Sequence, residues 1–434
     1  MTRLKQVVSS LLVCAMVTSI APTVAFAAND DNIVTYAVEG GNIYFDTSTG
    51  TITDSDVSIT GATIPARIKG YNVTSIEDGA FSDCSALTSI TLPDGLVSIG
   101  DEAFYGTSLE SIDIPTSVTS IGDGAFLLCG KLNNVVIPNG VTSIGRDTFE
   151  FCESLDTITI PNTVTSIGDM AFYSCSKLNN ITIPDSITSI GQQAFDRCVG
   201  LTTINIPSGL TDIDRSVFAG STSLNSINVA ADNPSYCSVD GVLFSKDQTT
   251  LVQYPAGKED ENYQIPSSVT RARNDAFRGS KNLKTVYIPT SFKALGQDLY
   301  DTMFEDCTNL TTITVEDANT DYSSLDGVLF NKDKTILVEY PDGREVSTYE
   351  IPSSVESIEN AAFEGCSNLT QITIPNGVTK IGHSAFHGCK KLESITIPAS
   401  VTEFSSSDQF LFDECDNLQN IDVSAENPNY SSED

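Results

Sequence analysis

Eleven cysteines and two histidines are the residues of this chain best suited to nucleophilic or metal chemistry. Cys84, Cys129, Cys152, Cys175, Cys198, Cys307, Cys366, Cys389 and Cys415 fall at one position of a recurring pattern, and Thr107, Ser221 and Ser280 hold that position elsewhere. Stacked copies would lie roughly 5 Å apart, inside the Cα range for a disulfide, but a disulfide needs its side chains turned toward one another and stacked side chains point the same way. Ser and Thr in the slot point to a small, weakly polar group, so buried free thiols are expected rather than bridges. No CxxC pair occurs, and zinc needs four converging ligands. His383 and His387, in HSAFHGC with Cys389, have a spacing that could share a metal on a helix face. In so short a turn they read as surface polar residues. Two histidines leave little material for a Ser-His-Asp or Cys-His enzyme, and neither a phosphate-cradling glycine loop nor HExxH is present. The 57 acidic residues scatter over variable turn positions with no evident glycosidase pair. The expectation is no enzyme, no cofactor and no metal site.

The elements that would carry these residues come from one repeated unit. Residues 155–177 read LDTITIPNTVTSIGDMAFYSCSK, and Pro138, Pro161, Pro184 and Pro207 recur every 23 residues. A fixed period of this length marks a solenoid. Ile158 and Ile160 alternate with Thr157 and Thr159, a short strand with one buried face. Pro161 ends it, since proline cannot donate to a ladder. Val164 and Ile167 form a second extended pair, Gly168 permits a bend, and Ala171–Phe172 suggest a short 3₁₀ or helical turn. Stacking units buries what no unit buries alone. Phe81, Phe104, Phe126, Phe149, Phe172, Phe195, Phe218, Phe277, Phe304, Phe363, Phe386 and Phe412 mark the coils. One coil is a residue short near Thr107–Leu109, and one is longer around Ser405–Phe410.

Before the first coil, Arg3 and Lys5, an apolar Val7–Ile20 run and Ala25-Phe26-Ala27 have the form of an export signal over residues 1–27. Its removal leaves 21 basic against 57 acidic residues, since 23 − 2 = 21, a net charge of −36. That balance disfavours nucleic acid and anionic membrane as partners. Residues 28–63 read as an N-terminal β-cap. Repeats occupy 64–230, 263–316 and 349–423. Between them, 231–262 and 319–340 within 317–348 share a DGVLF…KD pattern and read as two β-hairpin insertions. Residues 424–434, with NPNYSSED, match the start of a third, so a fragment of a longer protein is expected.

The unit LxxIxIPxxVTSIGxxAFxxC, with the DGVLFxKDxTxLVxYP insertion, resembles the BspA-like leucine-rich repeats of bacterial surface proteins over roughly residues 42–434. That resemblance implies a β-rich solenoid: a right-handed leucine-rich-repeat coil array with a parallel sheet, short 3₁₀ turns and an N-terminal β-cap. It implies a secreted or cell-surface protein that adheres to host or bacterial proteins or glycans; a monomer with no membrane span in the mature chain is expected. The competing reading is a rigid acidic stalk that presents an anchor or catalytic domain. The candidate binding surface is the outward face of the main sheet: Thr157, Thr159, Asn180, Thr182, Thr203, Asn205, Asn228, Thr285, Tyr287, Thr312 and Thr314. This is a hydrogen-bonding surface with one aromatic, weighed against a merely solvated face on which Thr packs well. Most of the insertion tyrosines (Tyr236, Tyr254, Tyr263, Tyr322, Tyr340 and Tyr349) are expected to pack the hairpins onto the coils.

Overall fold

A computed structural model describes residues 32–293, 303–404 and 410–431. The expected export signal, nearly all of the lengthened coil at 405–410 and the last three residues lie outside them. The described residues form β-strands and turns and contain no helix.

Each coil has three walls. The first is the Ile-Thr strand: Thr157–Thr159 pairs in parallel with Asn134–Val136, each residue opposite its counterpart one coil earlier. The second is two residues wide, with Ser166–Ile167 between Ser143–Ile144 and Ser189–Ile190. The third is the turn around the Phe. Its amides alternate. Met170, Phe172 and Ser174 donate to Gln192, Ala194 and Asp196 of the next coil, while Ala171, Tyr173 and Cys175 donate three residues back within their own coil. This alternation needs a left-handed residue on each side of the Phe, here Met170 (φ 50°) and Ser174 (φ 57°). So the turn has single three-residue closures and no continuous 3₁₀ segment. An L-residue in that conformation costs about 1–2 kcal/mol, and the two cross-coil amides it aims offset that cost.

Gly168 serves contact rather than the bend. Its φ is not left-handed, but a Cβ there would lie 2.7 Å from the Arg146 amide nitrogen of the coil below. Between the walls lie Leu155, Ile158, Val164, Ile167 and Phe172, all buried. The Phe rings stack at 5.2–5.9 Å from Phe81 to Phe218.

The two expected hairpins are three-stranded meanders, and they stand inside the stack. Tyr236–Val239, Val242–Ser245 and Thr250–Gln253 run antiparallel, and the last strand then pairs in parallel with Arg271–Ala272 of the next coil. Tyr322–Leu325, Val328–Asn331 and Ile336–Glu339 repeat this, ending on Ser357–Ile358. The N-terminal strands Ile33–Val38, Gly41–Asp46 and Thr51–Ser55 have the same order and end on Ser75–Ile76. The register breaks at the same place in all three, just before Phe45, Phe244 and Phe330. The cap and the insertions are therefore one device used three times.

Each inner meander divides the core. Leu243 and Val252 join the cluster that begins at Ile43, whereas Val242, Phe244 and Leu251 face the middle cluster. Leu329 belongs to the middle cluster, and Val328, Phe330 and Leu337 belong to the last. Tyr254 and Tyr340 are fully buried and start the ring stacks of their blocks, against Phe277 at 5.3 Å and Phe363 at 5.2 Å.

One buried asparagine clamps the entry into each inner meander, and a half-buried one repeats the pattern after the last described strand. Asn233 donates to the carbonyls of Pro207 and Leu210 and accepts from the amides of Ser235 and Tyr236. Asn319 makes the same four bonds with Pro289, Phe292, Asp321 and Tyr322. So does Asn427, with Pro398, Val401, Asn429 and Tyr430.

Candidate functional site

The cysteine ladder is structural. All ten described cysteines are free, and seven of the nine slot thiols donate to the Phe carbonyl one coil back, among them Cys129 to Phe104 at 3.0 Å, Cys175 to Phe149 at 3.1 Å and Cys307 to Phe277 at 3.1 Å. Cys366 donates to the Tyr340 carbonyl instead, and Cys84 lies 3.3 Å from the Ser55 hydroxyl. Ser221 donates to the Phe195 carbonyl at 2.9 Å, which explains why a hydroxyl serves there. Burial pushes the Cys129 thiol up to about 11, whereas a nucleophile needs its thiol pushed down. His387 Nδ1 lies 3.0 Å from Glu364 Oε1, and that hydrogen bond raises its pKa. No three His, Cys, Asp or Glu side chains among the described residues are placed to hold a metal ion. No helix among them is long and apolar enough to cross a membrane.

The sheet face carries the surface chemistry. Strand alternation turns Ile158, Ile204, Val286 and Ile313 inward and leaves their neighbours outward. Of the candidate residues, Thr157, Thr159, Asn180, Thr182, Thr203, Asn205, Asn228 and Tyr287 are exposed, and Thr285, Thr312 and Thr314 are half-buried. They form three patches rather than one surface. Thr157 reaches Asn180 by a single bridge, and Thr182 stands outside any strand. Thr203 and Asn205 pair with Ser226 and Asn228, where the Asn228 amide donates to Asn205 Oδ1 at 3.1 Å. The first meander then interrupts the sheet, which resumes at Asn262–Gln264 and continues through Thr285–Ile288 to Thr312–Val315.

In that third patch Tyr287 stands between Gln264 and Thr314 in register. Its ring is 41% exposed, and it lies in a shallow recess of about 360 Å³ shared with Asn262, Gln264, Thr314 and Glu316. Glu316 is fixed by bonds from the Thr290 amide (2.8 Å) and hydroxyl (2.6 Å), which hold its carboxylate below the usual range. The sequence expectation did not include Asn262, Gln264 and Glu316. Ile265-Pro266 marks a strand end like every other Ile-Pro, so both amides could have been placed on the outward positions. One residue before Asn262 and Thr285 in sequence, Glu261 and Lys284 pair at 2.7 Å and line a separate recess.

A family model described as the BspA type leucine rich repeat region matches residues 55–165, 142–236, 256–336 and 340–433, with six copies. No curated protein matches the chain in sequence. Among solved structures, the chain is similar to a leucine rich cell surface protein from Faecalibacterium prausnitzii A2-165, with 31% identity and a TM-score of 0.63 over 90% of this chain and 95% of that one. A leucine-rich repeat protein from Eubacterium ventriosum is 21% identical, with a TM-score of 0.48 over 89% and 96%. The pneumococcal vaccine antigen PcpA is 23% identical, with a TM-score of 0.46 over 91% and 89%.

Proposed function

We propose a binding function for this chain, which belongs to the BspA-type leucine-rich-repeat family: an exported, surface-displayed protein that holds an extracellular protein or glycan on its Thr/Asn sheet face. The observation that carries this reading is the Tyr287 recess. A single exposed ring on an otherwise hydroxyl- and amide-bearing face supplies a flat apolar platform with hydrogen-bonding groups around it, the composition of a recognition surface. The family and the cell-surface description of the F. prausnitzii relative support display outside the cell. Net charge of −34 favours neutral or basic ligands over anionic ones. The alternative, a rigid acidic stalk, draws its support from the near-parallel Phe stack of the first block.

A screen of the purified chain against fibronectin, fibrinogen, collagen, mucin and a glycan array at physiological salt tests the reading. The control is Tyr287→Glu combined with Thr285→Glu and Thr314→Glu. Saturable binding lost in that variant supports the recess. Binding that survives moves the site elsewhere, and a folded chain that binds nothing favours the stalk.

A further inference from the structure

The two inner meanders lie 86 positions apart, and this offset aligns their seams residue by residue. Around the first seam stand Ala219, Gln253, Ala256 and Arg278. At the matching positions of the second stand Glu305, Glu339, Asp342 and Glu364. In the first seam the Gln253 side-chain amide is buried and lies within reach of the carbonyls of Tyr254 (3.1 Å), Asp275 (3.4 Å) and Ala276 (3.2 Å). The corresponding carbonyls in the second seam are those of Tyr340, Ala361 and Ala362. Glu339 is half-buried where Gln253 is buried; ionised, it has no hydrogen to offer those carbonyls, and protonated it does. Asp342 takes the place of Ala256 against the next coil, only 7% exposed, with an oxygen 3.2 Å from where a Gly365 Cβ would stand.

Among the described residues, the charged groups around these two acids do not neutralise them. Glu305 and Asp306 face them from the coil before and Glu364 from the coil after, and the neutral thiols of Cys307 and Cys366 adjoin. Arg278 is engaged by Glu305 at 2.8 Å and lies near Asp196 at 3.8 Å. His387 is paired to Glu364, with Asp413 and Glu414 beyond it. Arg344 sits over the Tyr340 ring at 5.2 Å and donates to the carbonyls of Asp326 and Thr311. No three of the described carboxylates converge to hold a cation. What remains to relieve the repulsion is the proton.

We propose that the second seam is a proton-operated joint: the third block seats firmly on the second when Glu339 and Asp342 carry protons, and loosens as they ionise. Burial and the neighbouring acids push Glu339 and Asp342 well above the usual carboxylate range, and burial pushes Glu305 up to about 7. An acid whose folded pKa is raised contributes stability that is present below its unfolded value and is lost as pH rises through the folded one. The Glu364 bond raises the His387 pKa, so that contribution is lost in the same direction. The window therefore opens above the ordinary carboxylate value of about 4 and extends through neutrality.

The test is amide hydrogen exchange on the full chain between pH 5.5 and 8, with each peptide normalised to its intrinsic rate. Protection of residues 336–366 should fall by about tenfold or more across that range, one unit of pKa difference being a factor of ten, while 250–280 at the first seam changes little. The variant Glu339→Gln with Asp342→Ala, which installs the first seam's residues at those two positions, should remove most of the fall and leave only the smaller part carried by Glu305 and His387. An equal response at both seams, no response at the second, or an undiminished response in the variant overturns the proposal. So does protection at pH 8 restored by calcium or magnesium as fully as by acid, which would make the joint a cation site.

Discussion

The two inner meanders share a backbone and differ in what fills their seams. Both break register before the same Phe, both are clamped by an asparagine with four bonds, and both start a ring stack with a buried Tyr. The first seam is sutured by polar contacts that bypass the meander in sequence. Arg273 donates to the Ile213 carbonyl at 2.6 Å, Ser216 bonds Asp275, and Arg278 lies 3.8 Å from Asp196. The second seam places acids on acids. Backbone ladders and apolar contacts set the geometry of such a joint, and side-chain charge then sets the conditions under which it holds.

Five substitutions in three comparisons probe that difference, in falling order of effect. Phe244→Ala and Phe330→Ala each empty a buried ring site and should destabilise by about 3–5 kcal/mol. The two values should agree in chemical denaturation at pH 5.5, and a large disagreement would mean that the meanders are not energetic equals. Gln253→Glu places an acid beside the three carbonyls at the first seam, and should cost about 1–3 kcal/mol at pH 8 by removing the donor. The loss should shrink toward pH 5 as the new acid takes up a proton, so a pH-independent loss in the same unfolding assay would detach the seam chemistry from protonation. Ala361→Gly, at a left-handed residue (φ 54°) of the second seam, should leave stability unchanged or raise it by up to about 1 kcal/mol, strain relief being offset by backbone entropy. Asp275→Gly, at the matching residue (φ 56°) of the first, loses the Ser216 bond and should destabilise. Melting curves of the pair should therefore separate.

Much of the coil is legible in the sequence. The Ile-Pro period, the inward Ile and Leu positions and the Phe spine follow from alternation and spacing, because each coil repeats one local pattern. The cysteine slot is legible as small and weakly polar, and the Phe carbonyl that fills that need is set by the stacking. The turn is not legible. Met170 and Ser174 have no preference for left-handed backbone, and only the carbonyls of the next coil hold them there. The candidate face is legible as a row of outward residues, but its continuity is not. The meander at Tyr236–Gln253 cuts the row, and Asn262, Gln264 and Glu316 join Tyr287 only once the coils are stacked.

Residue alternation along the chain thus suffices for the solenoid, its core and its family, since these depend on neighbours a few residues apart or one period away. The seams depend on contacts that cross 59 or 60 residues, and on which side chain meets its counterpart over the meander. Glu339 and Asp342 look like ordinary surface acids in the sequence. The burial of Asp342, the half-burial of Glu339 and the acids gathered around both come from the stack, because a charge is defined energetically by what surrounds it.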